Sequence, residues 1–207
     1  MIDRMRNHFA PRAAVFAALL LLATSLGAQT QATSGAEPQS AQSPEQAQPT
    51  PSQEWKAYSY PADGFSASFP SEPQMSKRDV PTDKGSFELR AYMGQDGQAA
   101  IYVGVCDYGS AIADRTPDTV LDGAQEGAID NVKGHLTRGK RITFGIYPGR
   151  ELEAENDTMH FYARIYLVGT TLYQTLAAAP LGQPYANATR FLDSFQLIAH
   201  VSGAATP

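Results

Sequence analysis

Between Glu54 and His200 the apolar residues are mostly spaced two apart, and the exceptions are two segments with helical spacing. Period two sends alternate side chains to opposite faces of a strand, so such a chain builds a sheet and packs a few helices on it. Gly64-Phe65-Ser66-Ala67-Ser68-Phe69-Pro70 puts Phe65, Ala67 and Phe69 on one face, and Pro70 stops the strand. Trp55, Tyr58 and Tyr60 mark where the folded region begins. Strands over Met75–Val80 and Phe87–Tyr92 follow, joined by the turn-rich Pro81-Thr82-Asp83-Lys84-Gly85. Gly94-Gln95-Asp96-Gly97 then turns into Ala99–Tyr108. Along that strand Ile101, Val103 and Val105 face one way, and Tyr102, Gly104, Cys106 and Tyr108 the other. Both faces are largely apolar, which predicts a central strand covered on both sides.

Thr116-Pro117-Asp118 starts a helix: a hydroxyl at the N-cap, proline at the first position, and an acid favoured by the helix dipole. Val120, Leu121, Ala124, Ala128, Ile129 and Val132 form its apolar stripe, and Gly134 closes it after Lys133. The helix is expected over Pro117–Lys133. Strands follow near Leu136–Ile146, Arg150–Asn156, Met159–Val168 and Thr171–Ala178. A two-residue Pro148-Gly149 loop would set Phe144 against Glu153 and Ile146 against Glu151. A three-residue Pro148-Gly149-Arg150 loop sets Ile146 beside Leu152, Phe144 beside Ala154 and Arg141 toward Asp157. A one-residue slip reverses every side chain, so the pairing of like with like predicts the longer loop. Pro184–Ser194 reads as a second helix presenting Tyr185, Ala188, Phe191 and Leu192, with Phe195 beyond it. Strands, helix, strands, helix with short turns predict an α+β domain around an antiparallel sheet.

The first 53 residues are of another kind. Arg4, Arg6 and Arg12 precede the apolar run Ala13–Ala23, and Thr24-Ser25-Leu26-Gly27-Ala28 supplies small residues. That order is a secretion signal, cut after Ala28 or Gly27; an uncleaved signal acting as an anchor is the alternative. The run is shorter than the roughly 20 residues of a spanning helix, and no second membrane segment is expected beyond it. Residues 29–53 contain no Val, Ile, Leu, Met, Phe, Tyr or Trp. A segment this poor in apolar groups cannot offset its ordering entropy, so a disordered Gln/Pro/Ser-rich linker is expected. The expected organisation is thus signal 1–28, linker 29–53, one domain 54–200 and a flexible tail 201–207.

Removing three basic residues and one acidic residue with the signal, from totals of 16 and 21, leaves 13 and 20. An acidic chain without a basic block gives no footprint for nucleic acid or anionic lipid. Cys106 is the single cysteine, so no intramolecular disulfide forms and a core of roughly 150 residues must suffice. In a strand of this character the thiol is expected to be packed.

Phe191-Leu192-Asp193-Ser194-Phe195 near the end and Gly64–Pro70 near the start bracket the Thr116-Pro117 helix. This layout resembles the PsbP-like domains, most of all their exported bacterial members, over about residues 62–198. The resemblance implies a central antiparallel sheet sandwiched between helices. It carries over no catalytic residue and no metal site. Photosynthetic members tend to have a Trp soon after the first strand's proline. Here Ser71-Glu72-Pro73 stands instead, which speaks against a photosystem role.

No motif assembles chemistry. His135, His160 and His200 lack partners at zinc spacing, and no Gly-x-Ser-x-Gly, phosphate-loop or dinucleotide pattern occurs. Glu151, Glu153 and Glu155, extended by Asp157, point to one strand face. They read as a solvent face balanced by Arg138, Lys140 and Arg141, or alternatively as a carboxylate patch for a cation. Tyr102, Tyr162, Tyr166 and Tyr173 either line a pocket or pack on half-buried strands. Asn156-Asp157-Thr158 and Asn187-Ala188-Thr189 fit the glycosylation pattern. The expectation is an exported, periplasmic or extracellular, non-catalytic domain without cofactor, catalytic or metal residues. Its partner would be an envelope or extracellular protein or a small ligand. A secreted enzyme or a carboxylate-based cation sensor is the alternative.

Overall fold

The computed structural model describes residues 54–82 and 85–198. The expected signal, the linker through Gln53, Asp83, Lys84, His200 and the tail lie outside them. The strands are β1 (Lys56–Tyr60), β2 (Phe65–Phe69), β3 (Gln74–Thr82), β4 (Gly85–Asp96) and β5 (Ala99–Asp107), then β6 (His135–Phe144), β7 (Tyr147–Glu155), β8 (Met159–Val168), β9 (Thr171–Pro180) and β10 (Gln196–Leu197). Helix α1 spans Pro117–Asn131 and α2 Asn187–Ser194. A seven-stranded antiparallel sheet runs β3-β4-β5-β9-β8-β7-β6, and a small sheet runs β1-β2-β10.

Strand β5 lies between β4 and β9, and Ile101 through Cys106 are all buried. One face of the large sheet packs Cys106, Leu152, Ala163, Ile165 and Leu172 with Val120, Leu121 and Ala124 of α1. The other packs Ile101, Val103, Val105, Tyr166 and Tyr173 with Phe65 and Phe69 of β2, Phe191 of α2, and Phe195. The α+β antiparallel architecture holds. The large sheet is not simply sandwiched between helices, because its second face is closed by the small sheet together with α2. Eight residues of α2 bury only Ala188, Phe191 and Leu192, so the rings of β2 supply the rest of that cover.

Thr116 caps α1 as expected, its hydroxyl accepting from the Thr119 amide at 3.3 Å. The C-terminus differs. Lys133, at φ 51°, takes the left-handed position assigned to glycine, with its amide on the Asp130 carbonyl and the Gly134 amide on the Ile129 carbonyl. Gly134 meets a different need: a Cβ there would lie 2.7 Å from the Glu155 carbonyl.

The β6–β7 hairpin corrects the expected loop. It turns at Gly145-Ile146, so Phe144 pairs with Tyr147, Lys140 with Glu151 and Arg138 with Glu153. Gly145 has φ 59°, which suits the first position of a two-residue hairpin turn. Gly149 is a strand residue: a Cβ would come 2.5 Å from the Ile165 carbonyl of β8. Like-with-like pairing failed because the core contacts of Leu152 and Ala154 come from α1 and β8; on edge strand β6 Leu152 stands opposite Gly139 and Ala154 opposite the exposed Leu136. Arg141 and Arg150 sit opposite each other, and Asp118 of α1 relieves the repulsion by binding both, at 3.2 and 2.7 Å.

Candidate functional site

Strands β7 and β8 align Glu151 with Arg164, Glu153 with Tyr162 and Glu155 with His160. These residues share the second sheet face with Tyr166 and Tyr173, beyond the edge of α2 and the small sheet. Lys140 Nζ lies 2.6 Å from Glu151 Oε1, and Arg164 Nε donates to Glu151 Oε2 at 2.8 Å. The second arm of Arg164 reaches Asp193 of α2 at 2.7 Å, which ties the open half of the face to its cover. Arg138 stands 3.5 Å from Glu153. Burial pushes the Glu151 carboxyl up, but Lys140 and Arg164 outweigh it and leave it below the ordinary range.

His160 stacks on Tyr162, with centroids 4.2 Å apart and planes 12° apart. Its Nδ1 lies 3.4 Å from Glu155 and its Nε2 3.7 Å from Glu153. Asp157 does not extend the carboxylate row. It occupies the turn where the Asn156 side chain accepts from the amides of Thr158 and Met159. Asn156 also donates to the Val132 carbonyl, and Asn187 donates to Asp96 at 2.8 Å, so both glycosylation-pattern side chains are engaged in the fold.

The remaining candidates do not converge. Cys106 faces α1, on the side of the sheet opposite His160, and burial pushes its thiol up to about 11. His135 is exposed at the start of β6. Tyr102 lies on the α1 side, with its hydroxyl buried and unpartnered among the described residues. Tyr166 and Tyr173 are buried in the aromatic core against Phe195. Between α1 and the sheet a cavity of about 20 Å³ is lined by Ala128, Ile129, Val132, Leu152 and Leu176. That is room for about one water, and no organic ligand fits it. Among the described residues no group of three or more His, Cys, Asp or Glu is placed to hold a metal ion. Among them, too, no helix is long and apolar enough to cross a membrane.

Three polar clusters escaped the sequence. Asp63, 7% exposed in the short helical turn Pro61–Asp63, pairs with Arg90 Nε and accepts from the Tyr92 hydroxyl. Its carbonyl accepts from Tyr173 at 3.0 Å, so this knot joins the small sheet to the large one. Buried Arg150 donates to Asp118 and Asp122, both at 2.7 Å, and fastens α1 to β7. Asp96 accepts from Tyr185 at 3.0 Å as well as from Asn187, which fastens α2 to the β4–β5 turn. The signal for two of them was the phase of the strand. Arg90 alternates with Tyr92, and Arg150 alternates with Leu152 and Ala154.

These features define an α+β domain whose described polar clusters mostly join one element to another. No family model matches the chain, and no curated protein matches it. Among solved structures it is similar to the solution structure of cyanobacterial PsbP (CyanoP) from Synechocystis sp. PCC 6803. The two share 13% identity at a TM-score of 0.49, over 74% of this chain and 98% of that one. No function follows from a likeness at this level.

Proposed function

We propose that this is an exported, non-catalytic domain that binds another protein of the cell envelope through the open half of its second sheet face. The observation that carries the reading is the surface of β6–β8: charged and aromatic side chains stand in register beside a covered half, and their charges balance. Lys140 and Arg164 both engage Glu151, and Arg138 stands beside Glu153, which favours a docking surface over a cation site. The basic, apolar, small-residue order of residues 1–28 supports export. The buried, proton-holding Cys106 is a packing residue and not a nucleophile.

Photocrosslinking tests this in cells that make the protein. A benzoylphenylalanine at Glu153, on the open face, is expected to give a discrete adduct. The same group at Glu126, exposed on α1, is expected to give none. Identical products from both positions, or no product from Glu153, would remove the reading.

A further inference from the structure

Strand β6 is the outer strand of the large sheet, and His135 through Arg141 are all exposed. Its inner edge pairs with β7, and among the described residues no other strand pairs with it. From Asn131 to Arg150 the chain contains no Asp or Glu, although the whole carries a net charge of −5. That stretch holds Lys133, Arg138, Lys140, Arg141 and Arg150, a local excess of positive charge that the expectation of no basic block passed over. The side chains of Arg138, Lys140 and Arg141 are 70%, 52% and 72% exposed, so their existing partners leave most of each cation open.

From this we infer that the outer edge of β6 receives an extended acidic segment of a partner protein, added as an eighth strand. Main-chain hydrogen bonds would supply the pairing, and carboxylates at alternate positions would meet Arg138 and Lys140. Strand β7 already does this from the inside, where Glu151 and Glu153 stand opposite Lys140 and Arg138. The register break between Leu136 and Arg138, together with the positive charge, discourages indiscriminate pairing and leaves the edge selective for acidic strands. A second copy of this chain does not fit, because two β6 strands side by side oppose like charges. The other edge, β3, does not select in this way: Lys77 and Arg78 are followed by Asp79, and Pro81 lies in the strand.

This inference rests on the binding reading above and names the partner's chemistry. The test adds a blocked ten-residue peptide of alternating Glu and Thr to the full-length, nitrogen-15-labelled protein. Amides of His135–Phe144 are expected to gain exchange protection, with affinity falling as salt rises. Arg138→Ser/Lys140→Ser is expected to weaken binding about fivefold while the rest of the spectrum stays in place. The inference is overturned if protection appears elsewhere, or if a Lys/Thr peptide binds as well. Self-association through β6 without peptide overturns it too. An acidic peptide that leaves β6 untouched, beside a persisting Glu153 adduct, removes only this inference; loss of the adduct as well removes both readings.

Discussion

Helix α1 closes one face of the large sheet with aliphatic side chains, whereas the small sheet and α2 close part of the other with rings. The buried charges differ in the same way. On the α1 face Arg150 is buried, but its partners Asp118 and Asp122 are half exposed, at 49% and 58%. On the aromatic face Asp63 is itself enclosed, and its partner Arg90 is only 21% exposed. A cation whose anions stay wet can lose its role at modest cost. An enclosed anion without its cation cannot.

The sharpest way to break this comparison is to cut each face. Phe195 touches Phe65, Phe144, Tyr166 and Tyr173. Phe195→Ala is expected to cost about 4 kcal/mol in urea unfolding, and Leu121→Ala on the other face about 3 kcal/mol. A reversed order would show that α1 carries the stability. Next, Arg90→Met is expected to cost roughly 3–5 kcal/mol because it strands buried Asp63. Arg150→Met is expected to cost at most about 2 kcal/mol, since its two aspartates regain water. Equal losses would mean that the exposure of the partners does not matter.

Titration sharpens the contrast further. Below the ordinary thiol value of 9.0 both the folded and the unfolded chain keep the Cys106 proton. Between there and about 11 only the folded chain does. Unfolding then releases a proton, so stability falls as pH rises through that window, and Cys106→Ala flattens the fall. The tyrosines make a smaller pair. The Tyr92 hydroxyl donates to Asp63, whereas that of Tyr102 has no partner among the described residues. Tyr92→Phe is expected to lose about 1–2 kcal/mol, and Tyr102→Phe to gain up to about 1 kcal/mol, by thermal unfolding. Smallest of all, Lys133→Gly relieves the left-handed backbone at the end of α1 and is expected to gain about 0.5–1 kcal/mol.

Local pattern made much of the fold legible. The alternation Phe65, Ala67, Phe69 gave β2, the two apolar phases of Ala99–Tyr108 gave a central strand, and Thr116-Pro117 gave the start of α1. Strand β1 was visible only as a jump in aromatic density, because its burial alternates weakly. Glycine was legible as a turn signal but not as a sign of close approach. That is why Pro148-Gly149 looked like a loop while Gly145-Ile146 made it. Of the candidate site, Glu151, Glu153 and Glu155 with Arg138 and Lys140 were readable; Arg141 belongs instead to Asp118 of α1, and neither the part of Arg164 nor the stack of His160 on Tyr162 was readable.

The residues by themselves determined the kind of each element, because periodicity and caps act within a few positions of the chain. They determined too that Cys106 would be packed. Only the tertiary structure decided the hairpin register, the identity of the cover on the second face and the Asp63–Arg90–Tyr92 knot. Those depend on partners far away in sequence, as between Asp118 and Arg150 or Arg164 and Asp193. Cross-strand pairing is settled by all the neighbours a side chain meets, and a helix from elsewhere in the chain can outweigh the strand beside it.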